Sequence, residues 1–465
     1  MSRIGLFIVL LVSVMPAGAA TAPGIPLERC GLLGGVEALC GRLDVPEDRA
    51  HPGGRSISLR IAVIPARAQP SEPDPLVYIT GGPGGSAVDA AIGALAIFRG
   101  LNARRDIVLV DQRGTGGSNN LVCPMPRDVA RISTDAGVKD YVRRCLAALD
   151  ADPTQYTTEP AMEDLAAVVR ALGYERVNVF GASYGGTAAQ YFLAQHPELV
   201  RTAILDGATL LDIPIFERLA PNGERALRAI LGRCAQSGRC GAAYPRVRSE
   251  VFEVIAGLRQ RLVRVGDTRI DVATAADVFK SLTLTPGGAA EIPWIAHRAR
   301  IGDWKPLLLA LDREGVPSLG NRQVMYMSIV CNEPWARWRP DRVARAAAGT
   351  YLREAATMTA RRVAAGCSVV PKTAQPGWSR VRVRSTAPVM FVVGGNDPQD
   401  PLSHVASARR ELPNSRIVVV PSAGHTAAHL GCLPRLVQAF VERGGAAGLD
   451  VRCAGRYAPP PFVIG

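Results

Sequence analysis

Six short apolar runs constrain this chain more than any other feature: "PLVYIT" (75–80), "DIVLVD" (106–111), "RVNVF" (176–180), "RTAILDG" (201–207), "APVMFVV" (387–393) and "RIVVV" (416–420). Each is nearly continuous in hydrophobicity, without the polar alternation of a half-exposed strand. Such strands are covered on both faces, which is the property of a parallel sheet flanked by helices. The stretch "AMEDLAAVVRALG" (161–173) ahead of "RVNVF" has Ala, Leu and Val at three- and four-residue spacing and predicts one of those helices. Upstream, "CGRLDVP" and "RSISLRIAVIPA" read as two strands joined by "EDRAHPGG". From 209 to 385 the pattern changes to Arg/Ala/Leu-rich helical segments with irregular Pro and Trp, after which the buried-strand style resumes. "LPRLVQAFVERG" closes with a helix. The expected organisation is one α/β domain built from 21–208 and 386–465, interrupted by a large, mainly helical insertion at 209–385.

The N-terminus is of another kind. Met1-Ser2-Arg3 precedes "IGLFIVLLVSVM" and then "PAGAATAPG", the layout of a secretory signal with a short positive start, an apolar centre and small residues at the cleavage point. The run is shorter than the ~20 residues of a membrane span. The expectation is a signal over 1–20, a mature chain from near Thr21, a secreted or periplasmic location, and no stable membrane insertion. In an oxidising compartment the ten cysteines, an even number, favour disulfides. The simplest pairing joins neighbours: 30–40, 123–145, 234–240, 331–367 and 432–453. No Cys-x-x-Cys pair occurs, so a zinc site is not expected.

A formal charge of +13 raises the question of a polyanionic partner. Only four of the 54 basic residues are Lys, and the arginines are scattered without aromatic interleaving. Nucleic-acid binding is therefore not expected.

The stretch "RVNVFGASYGGTAAQYFLAQ" (176–195) carries chemistry. A strand passes through Gly-Ala-Ser-Tyr-Gly directly into a helix, a turn that stands Ser183 clear of the backbone and crowds the residues two before and two after it. Both of those are Gly (Gly181 and Gly185). The helix directs its N-terminal N–H groups toward the site. A serine hydroxyl needs a base, and for this turn the chain order is Ser, then Asp or Glu, then His. His425 in "VVVPSAGHTAAH" follows a buried strand on a Gly-containing loop. His404 is the rival; His429 reads as a helix-surface residue. Asp397 in "VVGGNDPQDP" ends the preceding strand and serves as the acid, while Asp400, ahead of Pro401, reads as a helix N-cap. The expected catalytic set is Ser183, Asp397 and His425, at the strand ends where ligands bind in open α/β sheets. The oxyanion donors are the amides of Tyr184 and of Gly82 in "TGGPGGS", with Gly81, Gly84 and Gly85 as alternatives. No metal or organic cofactor is expected.

Taken together, "ITGGPGGSA", "LVDQRGTGGS", "FGASYGG", "ILDGA", "GGNDPQDP" and "SAGHT" resemble the α/β-hydrolase serine peptidases related to proline iminopeptidase, and most of all the secreted bacterial tripeptidyl-aminopeptidase-like hydrolases. The resemblance implies an α/β-hydrolase fold with a helical cap. It also implies Ser183, Asp397 and His425 as the triad, and release of residues or short peptides from free N-termini through an acyl-enzyme. Asp111 and Arg113 match a family motif and are read as holding the loop beside the site. Two positions depart from the pattern: Thr80 stands where His usually precedes Gly-Gly-Pro-Gly, and Ala182 where Gly is frequent. An exopeptidase must recognise an ammonium group, for which Glu333 in "IVCNEPW" is the candidate; a Glu paired within the fold reads the same way. The substrate is a peptide or a small acyl compound, and an esterase or amidase with the same triad is the alternative.

Overall fold

All six apolar runs become strands, and their order in space places the site. The computed structural model describes residues 21–465 apart from 23, 124–131, 315–322, 337–338, 376 and 381. Residues 1–20, read above as an export signal, lie outside the described residues. A nine-stranded sheet is formed by β1 (Glu28–Leu32), β2 (Val36–Pro46), β3 (Ser56–Ile64), β4 (Leu76–Ile79), β5 (Ile107–Val110), β6 (Val177–Ala182), β7 (Val200–Asp206), β8 (Val389–Gly394) and β9 (Ser415–Val420). The spatial order is β9-β8-β7-β6-β4-β5-β3-β2-β1. β4 to β9 are parallel, and the first three strands run antiparallel beside them. β1 had no counterpart in the sequence reading, because "ERCGL" is mostly solvent-facing and lacks an apolar run.

Helices α1 (Ala91–Phe98), α2 (Asp135–Ala147), α3 (Thr158–Ala171) and α4 (Tyr184–Gln195) cover the first half of the sheet, and α14 (Leu433–Arg443) covers the last strands. The strands are buried on both sides, and one hydrophobic cluster lies on each face. Between β7 and β8, nine helices among the described residues run from α5 (Ile215–Gln236) to α13 (Arg353–Cys367). Most of them bury a third cluster of their own, from Ala220 to Ala355, whereas α11 (Gln323–Asn332) packs into a cluster on the sheet. Local chemistry sets their limits. Asp271 accepts the Thr274 N–H to cap α8 (Val272–Leu282), and Thr285 caps α9 (Pro286–Arg300), which has Pro at its first position.

Five disulfides join Cys30–Cys40, Cys123–Cys145, Cys234–Cys240, Cys331–Cys367 and Cys432–Cys453, the pairing of sequence neighbours expected above. After the last of them the chain crosses to the helical region. There the Val463 N–H donates to the Ala290 carbonyl at 3.0 Å, Tyr244 Oη donates to the Val463 carbonyl at 3.2 Å, and the Phe462 ring lies under the Arg233 guanidinium. No helix among the described residues is long and apolar enough to cross a membrane.

Candidate active site

The turn between β6 and α4 has the geometry its sequence demands. Ser183 sits at φ 55°, ψ −125°, a left-handed φ that L residues adopt only where the surroundings enforce it. The enforcement is visible. A Cβ at Gly181 would lie 2.2 Å from the Gly185 carbonyl oxygen, and one at Gly185 would lie 2.1 Å from that of Ile79. The Ser183 N–H donates to the Asp206 carbonyl at the end of β7 at 2.9 Å.

Asp206 holds a second element as well. Its buried carboxylate accepts the N–H groups of Ala427 at 2.7 Å and Ala428 at 2.9 Å, so one residue ties the serine turn to the loop carrying His425. Burial raises its carboxyl to about 6 against those donors. Gly207 follows at φ 62°, where a Cβ would stand 3.0 Å from His425 Nδ1. Ser183 and His425 thus flank the end of β7 on one rim of the sheet.

His425 Nδ1 faces Asp397 Oδ2 at 2.9 Å, and Asp400 Oδ2 lies 3.6 Å from the same nitrogen. Asp397 is fully buried, and its other oxygen accepts the N–H groups of Gln399 and Asp400 at 2.7 and 2.9 Å. Burial opposes its charge, but His425 and these two amides outweigh it and hold the carboxyl below the ordinary range. Burial likewise opposes the imidazolium, yet Asp397, with Asp400 and Asp206 behind it, raises the ring to about 9. Nε2 is buried and has no hydrogen-bond partner among the described residues. An imidazole held at Nδ1 by a carboxylate, with Nε2 uncommitted, can take a proton from an alcohol beside it.

Asp400 is not the N-cap expected of it. The one-turn helix here begins at Leu402 with Pro401 before it, and the Asp400 carboxylate turns inward, where Oδ1 accepts from Thr209 Oγ1. The rival base His404 is buried against Thr209 Oγ1 at 2.7 Å and Asn222 at 3.3 Å. His429 is exposed, in a turn ahead of α14 rather than inside a helix. The remaining histidines face carboxylates: His51 on Asp48, His196 on Glu163 and His297 on Glu250.

The Gly-rich loop after β4 presses on the serine. A Cβ at Gly81 would lie 2.9 Å from Ser183 Cβ and 3.5 Å from its Oγ. The Tyr184 amide opens α4, where an N–H has no intrahelical acceptor. Gly82 follows Gly81 at φ 130°, whereas the Gly85 N–H is already given to the Gly81 carbonyl at 3.3 Å. Asp111 holds this loop: its buried carboxylate accepts from Ser86 Oγ at 2.7 Å, the Val88 N–H at 3.1 Å and the Gly117 N–H at 2.9 Å. Arg113 acts elsewhere, bonding both oxygens of Asp164 in α3 at 2.7 Å and the Glu47 carbonyl at 2.7 Å.

Glu333 is 3% exposed. Its Oε1 accepts the Thr158 N–H at 2.7 Å and its Oε2 the Trp335 Nε1–H at 2.5 Å. The Trp335 ring lies 6.2 Å from that of Tyr184, whose hydroxyl pairs with Thr158 Oγ1 at 2.8 Å. Burial raises the Glu333 carboxyl to about 7.

The helical region reaches the site through groups the sequence reading had not singled out. From α5, Arg225 donates to the carbonyls of Gly395 at 2.8 Å and Asp397 at 2.6 Å. Between α8 and α9, the Leu284 carbonyl accepts the His425 N–H at 2.8 Å. A guanidinium can be searched for in a sequence; a backbone carbonyl leaves no signal there.

Residues 74–226 match the family model described as alpha/beta hydrolase fold, and 353–453 that described as TAP-like protein, together more than half of the chain. Serine protease Hip1 of Mycobacterium tuberculosis is 29% identical over 237 residues, 46% of this chain and 45% of that protein. The chain thus spans about half the length of the Hip1 relatives it matches. Tripeptidyl aminopeptidase of Streptomyces coelicolor is 23% identical over 492 residues, 97% of this chain and 89% of that protein. Among solved structures, proline iminopeptidase of Mycobacterium smegmatis is similar at 17% identity and a TM-score of 0.41, over 87% of this chain and 99% of that one. The chain thus has the alpha/beta hydrolase fold, its C-terminal part is TAP-like, and it is similar to a serine protease and a tripeptidyl aminopeptidase.

Proposed function

We propose that the protein is an exported serine peptidase that releases residues or short peptides from free N-termini through an acyl-enzyme, with Ser183 as nucleophile, His425 as general base and Asp397 as acid. One observation carries the reading: His425 is pinned at Nδ1 by a buried carboxylate, 2.9 Å away, and its free Nε2 belongs to the rim where Ser183 is held at φ 55°. In the reaction His425 takes the Ser183 proton as Oγ attacks the carbonyl carbon. It then returns that proton to the leaving amine. Water, deprotonated by the same ring, releases the acyl group. The Tyr184 and Gly82 amides donate to the tetrahedral oxyanion. The tripeptidyl aminopeptidase similarity along most of the chain supports the peptidase reading over an esterase or amidase, and the five disulfides fit an oxidising compartment outside the cytoplasm. The 21–208 and 386–465 segments form the catalytic unit and 209–385 its cap.

A fluorophosphonate is expected to label the wild type and not Ser183→Ala, and a peptide-library digest to show trimming from the N-terminus only. Internal cleavage, or ester turnover without peptide turnover, overturns the exopeptidase reading. Glu333, packed behind Tyr184, is the proposed ammonium partner. Glu333→Gln is expected to raise KM for free-amine substrates about tenfold and leave N-blocked esters unchanged. An equal effect on both substrate classes reduces Glu333 to a fold contact for Thr158 and Trp335.

A further inference from the structure

We propose that Asp400, wired through Thr209 and His404 to the insertion, is a second positioning carboxylate that sets the basicity of His425; this rests on the triad reading above. The geometry is specific. Asp400 is 3% exposed with its Oδ2 3.6 Å from His425 Nδ1, and its Oδ1 is held by Thr209 Oγ1. Thr209 Oγ1 lies 2.7 Å from His404 Nδ1, and His404 Nε2 lies 3.3 Å from the side-chain amide of Asn222 on α5.

Counting protons shows why this chain suits a carboxylate that changes charge. Burial, with Arg218 and Arg225 nearby, lowers His404 to about 4 although Asp397 opposes it, so the ring is neutral and carries one N–H. With Asp400 ionised, Thr209 Oγ1–H donates to Asp400, His404 Nδ1–H donates to Thr209, and the Asn222 amide N–H donates to Nε2. With Asp400 protonated, every bond reverses: Asp400 donates to Thr209, Thr209 to Nδ1, and Nε2–H to the Asn222 amide oxygen once that amide is turned over. Both charge states leave each of these buried groups paired, whereas a lone buried carboxylate is fully paired in only one. Burial and the neighbouring Asp397 raise the Asp400 carboxyl above the ordinary carboxylate range, against His425 and Thr209, which brings the neutral form within reach. The charged or titratable groups facing the couple are Asp397, His425 and Asp206 from the strand ends, His404 beyond Thr209, and Arg218 and Arg225 from α5.

The sign follows. Ionised Asp400 favours the imidazolium and raises the pH at which His425 becomes a free base; neutral Asp400 leaves that task to Asp397 alone. The experiment reads the rate of fluorophosphonate labelling of Ser183 against pH. Asp400→Asn is expected to move the acidic limb down by about 0.5–1 pH unit. Thr209→Val moves it the same way by less, and Thr209→Ser, which keeps the hydroxyl, restores the wild-type limb. Selective 15N-histidine NMR of the Ser183→Ala protein is expected to show the same downward shift of the His425 titration when Asp400→Asn is added, without using the nucleophile. Superimposable limbs and His425 titrations in the presence and absence of Asp400→Asn overturn the proposal. If Asp400→Asn does not fold, the Thr209 pair decides alone, and equal limbs for Val and Ser overturn it. An unlabelled wild type removes the triad reading instead, and the NMR titration still tests Asp400.

Discussion

The strand-end rim and the helical insertion are built on different terms. The rim is made of continuous apolar strands whose ends fix Ser183, Asp206 and Asp397 by backbone geometry. The insertion is made of amphipathic helices around a separate core, and the stretch 227–352 falls between the two family matches. It nevertheless supplies attachments at the site: Thr209 on Asp400, Arg225 on the loop of Asp397, Asn222 on His404, and the Leu284 carbonyl on the His425 amide. The rim carries Ser183, Asp397 and His425, and the insertion helps hold two of the loops that present them.

On the rim, Ser183→Ala is expected to lower kcat/KM by about 10⁴-fold or more, measured on any substrate the wild type turns over. On the insertion, Arg225→Ala removes two charged hydrogen bonds to the acid loop, worth about 1.5–3 kcal/mol each. Expected is a fall in kcat of about 10- to 100-fold with substrate KM little changed; a pure stability loss, seen as a lower Tm with native kcat, would detach the insertion from the chemistry. A smaller effect concerns pH. The base works deprotonated and its pKa is raised, so the acidic limb of kcat/KM is expected above pH 6.5, toward 9. A limb at or below 6.5 would mean that the carboxylates around His425 do not act on it together. His429→Ala, at an exposed turn four residues from the base, is expected to change kcat/KM by less than about twofold.

What the sequence made legible followed from periodicity and turn chemistry. β4 to β9 announced themselves as apolar runs, and Gly181 and Gly185 marked the serine turn because a Cβ at either would collide with a carbonyl. The disulfides were legible because each joins the nearest cysteine. Illegible were interactions whose partners are far apart or carry no side-chain signature. Asp400 meets Thr209 across 191 positions, so its local context, an Asp before Pro, suggested a cap and concealed a buried contact. Asp206 looked like the last residue of a strand, and only the sheet order reveals that the loop of Ala427 and Ala428 folds onto it. Glu333 was found by charge alone, and its two N–H donors come from the start of α3 and from a neighbouring ring.

The tail beyond Cys453 bounds how far the two regions can separate. Cys453 is bolted to Cys432 beside α14, and ten residues later Val463 is hydrogen-bonded to Ala290 of the insertion. At the ~3.3–3.6 Å per residue of an extended chain, with the three consecutive prolines of "APPPFVIG" stiffening the middle, this leash permits a gap of no more than about 35 Å between its anchors. A wide swing of the helical insertion away from the sheet would first have to unzip Val463 from Ala290, whereas smaller movements leave the leash fastened.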